Sequence, residues 1–311
     1  TGQNILSNVA LELAEKYNAA MFLYAGYAFN AYKNDKNLER PKGLVQYHPH
    51  IDQSSKIILA DLEKYKYLTN AYSQIKTDMK DKTNIFELQI SDKVICHSKF
   101  TKETIINAGI ANEKIVIIPY GIDIKYNNSK IHNGLIKPKK RCNFLFVGQG
   151  IHRKGLHHLL KAWKKADLKF SSLNIVSRNI DPQIKINAEI SDNTYLHENI
   201  ENINIEYQKN DIFVMPSIIE GFGYVYLEAI SHGLLCIGTK NSGLKDISTN
   251  LNSRIIETGD IENLSIILKE LQEIVLTKGL DRELIKSSIT KFTWQNYREK
   301  VSNIAKKVLK K

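Results

Sequence analysis

Residues 211–243 read DIFVMPSIIEGFGYVYLEAISHGLLCIGTKNSG. The run Ile212-Phe213-Val214-Met215 is short and wholly apolar, which predicts a buried strand, and Pro216-Ser217 ends it. Glu220 follows, then the turn Gly221-Phe222-Gly223. A helix is expected from about Tyr224 to His232, closed by Gly233, and the apolar run Leu234–Gly238 comes next. Strand, glycine loop, helix, strand is the order in which an open α/β sheet builds a ligand site at the carboxyl ends of its strands.

The residue types suit such a site. Glycines at 221 and 223 let backbone approach a ligand, and unpaired N–H groups at the helix start favour a phosphate. Glu220 precedes the turn and Glu228 lies in the helix, and carboxylates accept hydrogen bonds from sugar hydroxyls. Taken alone, the same residues also describe a helix entry with two solvated glutamates.

A second segment carries complementary charge. Asn143-Phe144-Leu145-Phe146-Val147-Gly148 predicts a buried strand, followed by the loop Gln149–His152, then Arg153-Lys154-Gly155 and a helix from Leu156 to about Lys165. A guanidinium fork and an ammonium beside a glycine at a helix start suit a diphosphate. His152, His157 and His158 read as surface residues, with no acidic cluster to join them into a metal site.

These two stretches together resemble the retaining GT-B glycosyltransferases of family 4. The pattern stands here as Pro216-Ser217, Glu220-Gly221-Phe222-Gly223, Leu227-Glu228-Ala229 and Gly233, with Gly148, Lys154 and Gly155 upstream. Gln149 holds the place where the family usually has Arg, and Arg153 is a substitute cation. The resemblance implies two Rossmann-like domains with parallel sheets facing across a cleft. It implies a nucleotide-sugar donor held by Gly148, Gln149, Lys154, Glu220, Gly221, Phe222, Gly223, Tyr224 and Glu228, with Glu220 toward the donor sugar and Glu228 toward the ribose. Ser242-Gly243 resembles the small-residue turn that faces the donor. Glu220, Lys154, Arg153 and His48 are the implied catalytic set, with no metal and no further cofactor. A UDP-sugar is the first expectation and a GDP-sugar the second. The implied reaction is transfer of the sugar, with retention, to a glycan or lipid-linked acceptor in cell-surface polysaccharide or glycoconjugate synthesis. An epimerase, a hydrolase or a non-catalytic sugar-nucleotide-binding subunit on the same fold is the alternative.

Composition sets the outer bounds. The 311 residues are enough for two domains, and 42% hydrophobic with 25% charged side chains is an ordinary globular balance. No apolar run reaches the ~18 residues of a membrane span, and the start, TGQNILSNVALELAEKY, has neither the basic front nor the apolar core of a signal peptide. Cys96, Cys142 and Cys236 lack metal-type spacing and predict buried free thiols in a reducing compartment, the cytoplasm. The net charge is +11, and residues 123–170 hold 12 basic and 2 acidic side chains, so the excess is central. That favours anionic ligands, with peripheral attachment to an acidic inner membrane face as a secondary expectation; no nucleic-acid motif accompanies it.

Upstream, residues 1–16 predict a loop and an amphipathic helix with Ile5, Val9, Leu11 and Leu13 on its apolar side, capped by Asn4 or Ser7. The family's first strand has no counterpart before it, which leaves open a trimmed chain or a short first domain. Strands are expected at 19–27 and at Gly43–Tyr47, the latter ending in His48-Pro49-His50, where His48 best matches the family's sugar-facing histidine and His50 is the alternative. One long helix is expected over 56–82, with Ile58, Leu62, Tyr65 and Leu68 as its core face. Asp92–Thr101 reads as a strand running into a capped helix, and Ile115–Asp123 as a strand and crossover turn. The resulting domains are 1–123, a linker at 124–140, a nucleotide-sugar domain at 141–291, and a final helix at 292–311 crossing back to the first domain.

Overall fold

The computed structural model describes residues 2–123, 137–188, 190–198 and 200–309. Most of the expected linker (124–136), together with Thr1, Lys310 and Lys311, lies outside the described residues. Ten strands form two parallel sheets among these residues. The first contains β1 (Met21–Tyr24), β2 (Lys42–Gln46), β3 (Lys93–Cys96) and β4 (Ile115–Ile117), in that spatial order. The second contains β5 (Cys142–Val147), β6 (Ser171–Val176), β7 (Thr194–His197), β8 (Ile212–Met215), β9 (Leu235–Thr239) and β10 (Ser253–Ile256), arranged β10-β9-β8-β5-β6-β7. β5 pairs β6 on one side and β8 on the other, so the winding direction reverses between β5 and β8. In an open α/β sheet that reversal opens a crevice at the strands' carboxyl ends.

Helices fill the crossovers. Those of the first domain are α1 (Gly2–Lys16), α2 (Phe29–Asn34), α3 (Ile51–Leu62), α4 (Thr69–Asp78), α5 (Thr83–Ile90) and α6 (Lys99–Asn107). Those that follow are α7 (Leu156–Ala166), α8 (Pro182–Asn187), α9 (Ile203–Lys209), α10 (Tyr224–Ser231), α11 (Leu244–Ile247), α12 (Ile261–Thr277), α13 (Arg282–Ser287) and α14 (Trp294–Leu309). The central strands β5 and β8 are almost wholly buried, as expected of parallel strands covered on both faces. α14 packs on β2 and β3, where Tyr297, Val301 and Ile304 meet Ile95, Ile118 and Phe22.

Two sequence expectations fail in the first domain. The single helix over 56–82 is two helices, α3 and α4, separated at Glu63–Leu68. No glycine or proline marks the break. It is tertiary: Ile58, Leu62, Tyr65 and Leu68 are all buried in one cluster with Leu156, Leu159 and Leu160 of α7, and bending the chain at 63–68 brings Tyr65 and Leu68 into it. In α1 most of the expected apolar face is turned outward, with Ile5, Val9 and Leu13 exposed; of that set Leu11 packs on the core, and Ser7 and Ala14 are the buried positions. Ser7 is not a cap. It lies inside the helix, and its Oγ accepts from the Ala31 N–H of α2 at 2.7 Å.

Candidate active site

The loops that leave β5 and β8 meet at the crevice. After β5 the chain turns through Gly148, at φ 155°, and reaches Arg153 and Lys154 in a short 3-10 turn capped by Gly155. Gly155 has φ 71°, and a Cβ there would collide with the Pro216 carbonyl just past β8, so glycine is required where the two loops touch. The Ile218 N–H donates to the Arg153 carbonyl at 2.9 Å, which locks the loops together.

Their side chains meet at Glu220. Lys154 Nζ is ion-paired with Glu220 Oε2, and Arg153 Nη1 lies 3.3 Å from the same oxygen. Glu220 is held from the other side by its own N–H, which donates to the Asn241 carbonyl at 2.8 Å. Asn241 Nδ2 in turn donates to Ile218 O at 3.1 Å and Thr258 Oγ1 at 2.9 Å. Burial would raise the Glu220 carboxyl, but the Lys154 and Arg153 charges outweigh it and hold the group below the ordinary carboxylate value. Burial moves Lys154 the opposite way, below the usual lysine value, against the pull of Glu220.

Gly223, at φ 79°, caps α10 without a side-chain hydrogen bond, so the helix's first N–H groups have no side-chain cap. Tyr224 stacks on Trp294 with ring centroids 6.1 Å apart. Glu228 Oε2 accepts from the buried Tyr207 hydroxyl at 2.9 Å, which fixes the rotamer of the second glutamate. Gln149 is exposed at the mouth. Gly243 N donates to Phe222 O at 3.0 Å, so the small-residue turn backs the Gly-Phe-Gly loop.

The first domain closes the opposite wall. A cavity of about 520 Å³ is lined by Gln46, Tyr47 and His48 from the end of β2, by Asn84, and by Arg153 and Ile219 across the cleft. His48 lies open at this wall; partial burial and the Arg153 and Lys154 charges lower its pKa, against the pull of Glu220. His50 is buried and its Nδ1 accepts the Asp52 N–H at 3.4 Å as the cap of α3, so of the two histidines it is His48 that lines the cavity.

Sequence reading missed the clamp that joins the domains. Ser98 Oγ, the cap of α6, and Thr101 Oγ1 both donate to the Gly221 carbonyl, the latter at 3.0 Å. The signal was present as a capped helix start, but nothing local marks its second use. The three histidines after Gly150 are also corrected: His152, His157 and His158 are buried, and all face Asp61 of α3. Asp61 lies 91 residues before His152, so its arrival is a matter of topology. Burial would raise the Asp61 carboxyl, and the imidazoles at its oxygens pull it far below the ordinary range; His157 is pushed down to about 3 by its own burial.

The sequence profile described as glycosyl transferases group 1 matches residues 127–288, and that of glycosyltransferase family 4 matches residues 19–126. This chain belongs to the glycosyl transferases group 1 family. Among relatives of this group 1 chain, a 41.2 kDa protein in the cps region of Klebsiella pneumoniae is 27% identical over 285 residues, covering 86% of this chain and 75% of that protein. A glycosyltransferase of Methanocaldococcus jannaschii is 26% identical over 291 residues, covering 86% and 77%. In three dimensions the group 1 chain is similar to the lipopolysaccharide outer core galactosyltransferase WaaB (TM-score 0.64, 17% identity, 96% of this chain and 78% of that one). It is also similar to Anabaena HepE in complex with UDP (TM-score 0.68, 14% identity, 97% and 82%). The fold is GT-B, with two parallel-sheet domains across a cleft.

Proposed function

We propose that this chain transfers a sugar, with retention of anomeric configuration, from a nucleoside diphosphate donor to a hydroxyl of a growing polysaccharide or lipid-linked glycan. The carrying observation is the convergence of Lys154, Arg153 and Glu220 at the β5/β8 reversal, beside the start of α10 and opposite His48. A diphosphate bears more negative charge than one carboxylate, so it competes for Lys154 and Arg153 and frees Glu220 to accept from the donor sugar's hydroxyls. As the glycosyl–oxygen bond breaks, charge grows on the leaving phosphate, and on this reading the two cations with the α10 amides stabilise it. The leaving phosphate oxygen takes the acceptor's proton, so no protein nucleophile is assigned. Glu228, set by Tyr207, receives the ribose. Gln46, Tyr47, Thr83 and Asn84, with the carboxylates of Asp78 and Asp81, line the acceptor wall with groups that pair with sugar hydroxyls. UDP is the first donor nucleotide to test because HepE carries it. The capsular setting of the Klebsiella relative, and of a Staphylococcus aureus capsular glycosyltransferase 25% identical over 195 residues, supports a polysaccharide acceptor.

The test is calorimetric titration with UDP-, GDP- and ADP-sugars, repeated with Lys154→Ala. One nucleotide should bind selectively and the variant should bind it more weakly, while sugar transfer, measured separately, should lose about 100-fold in kcat/KM, the scale of one transition-state donor. A folded wild type that binds none of them, or a variant with undiminished binding, refutes the proposal.

A further inference from the structure

The Asp61–histidine cluster has no part in the proposed transfer, yet it is the densest group of metal-ligating atoms among the described residues. Asp61 comes from α3 of the first domain. His157 and His158 open α7 of the second domain, and His152 precedes it. Asp61 Oδ2 lies 2.8 Å from His152 Nε2 and 3.2 Å from His157 Nε2, and Oδ1 lies 2.9 Å from His158 Nε2. One ligand atom from each of Asp61, His157 and His158 falls within 4.8 Å of the other two.

Hydrogen bonding alone does not satisfy this group. His158 is 1% exposed, and its Nε2, although close to Oδ1, is out of line for a hydrogen bond and has no other partner among the described residues. The Nδ1 atoms of His157 and His158 are likewise buried without a partner. Native interiors rarely leave such atoms unmet, and each costs about 1–3 kcal/mol when they do. The unmet Nε2 is the one that lies 2.9 Å from the carboxylate.

We propose that Asp61, His157 and His158, with His152 beside them, bind one divalent transition-metal ion of the zinc class. Imidazole nitrogens with a single carboxylate oxygen are the borderline donor set such ions select, whereas calcium or magnesium would require more oxygens. Metal–ligand bonds of about 2.0–2.2 Å place neighbouring tetrahedral ligand atoms roughly 3.3 Å apart, close to the spacings here. Gly259 borders the cluster without crowding it, since a Cβ there would make only van der Waals contact, 3.5 Å from Asp61 Oδ1 and 3.7 Å from His158 Cε1. The ion would join the two domains and fix the segment that carries Arg153 and Lys154, a structural role separate from the transfer chemistry.

The test uses the full chain, stripped with a chelator and titrated with Zn²⁺ alone, with bound metal measured after desalting. The expected result is one equivalent per chain and a raised Tm, as linkage requires for a ligand of the folded state. Co²⁺ should give the visible bands of a tetrahedral N/O site. His158→Asn, with His157→Gln as the second variant, should lower affinity more than about 100-fold while circular dichroism stays native. A folded wild type that retains no Zn²⁺, or folded variants that retain as much as wild type, overturns the proposal and leaves a hydrogen-bonded latch. If neither variant folds, the wild type decides: tetrahedral Co²⁺ bands support the site, and a purely aquo-type spectrum overturns it. Neither result depends on donor binding, so the transferase reading stands or falls separately.

Discussion

Gly221→Ala isolates the contact between the domains. Gly221 lies against the end of β2, and a Cβ there would land about 1 Å inside the 3.0 Å floor of real Cβ contacts, against the Tyr47 carbonyl, with His48 Cα at 3.5 Å. Both obstacles are backbone, so no rotamer relieves the clash. The Gly221 loop and the β2 end must separate by about 1 Å, enough to take the 3.0 Å bond from Thr101 Oγ1 out of range and to disturb the one from Ser98. Overpacking of this kind costs about 1–3 kcal/mol, and two weakened buried hydrogen bonds add about 1 kcal/mol each. A loss of roughly 3–5 kcal/mol is therefore expected in urea unfolding. Donor turnover should fall as well, because Glu220 adjoins the displaced residue. Gly109→Ala is the control. Its φ is +91° but its Cβ meets nothing within 4 Å, so it should show backbone strain of about 1–2 kcal/mol with turnover unchanged. If Gly221→Ala costs no more than Gly109→Ala and turns over normally, the packing argument is wrong.

Two further outcomes follow from buried polar groups. His97 is buried and pushed down to about 4 by desolvation, while its Nδ1 bonds the Ile118 carbonyl at 2.9 Å. Between pH 6.5 and 4 the unfolded chain therefore binds the extra proton, so stability falls as pH falls, by about 3 kcal/mol from this group. His97→Asn keeps an amide donor but cannot titrate; it should lose that much less over the window, and parallel stability–pH curves would refute the assignment. Tyr207→Phe removes the donor to Glu228 and should cost about 1–2 kcal/mol of stability. Under the ribose assignment it should also raise donor KM several-fold with a smaller change in kcat, and an unchanged KM would remove the case for Glu228.

The second domain was the more legible because its signals are local. β8 spans the apolar run Ile212–Met215 as read, α10 starts at Tyr224 after a glycine with positive φ, and Gly155 precedes a helix whose apolar period is strong. The first domain depended on events between distant segments. The break at Glu63–Leu68 serves burial against α7, and propensity over 56–82 carries no trace of it. The rotated face of α1, which buries Ser7 and keeps only Leu11 of the expected apolar set against the core, goes with the bond from the Ala31 N–H of α2 to Ser7 Oγ. The histidines show the general difficulty: polar letters near a glycine loop read as surface until a carboxylate from another domain arrives. Arg153, Lys154 and Glu220 could be grouped as candidates because the charge pattern and the glycine spacing sit on two short stretches, and the structure brings their side chains into contact.

The chain passes between its domains twice, and the described residues that flank these passages, Gly121–Ile122 and Phe292–Trp294, lie side by side. Ile122 N donates to the Phe292 carbonyl at 2.8 Å, and Gly121 packs on the backbone of Thr293 and Trp294, where a side chain would not fit. After the second crossing α14 returns to the first sheet. The last residues of the first domain before the second sheet thus lie beside the segment that leaves that sheet. Such an arrangement suits exchange: a donor-binding half from a relative needs only two splice points, near 122 and 292, that already touch. A graft must match the apolar surface of Ile58, Leu62, Tyr65 and Leu68 and also keep the Gly221 clamp to Ser98 and Thr101 and the histidines that face Asp61.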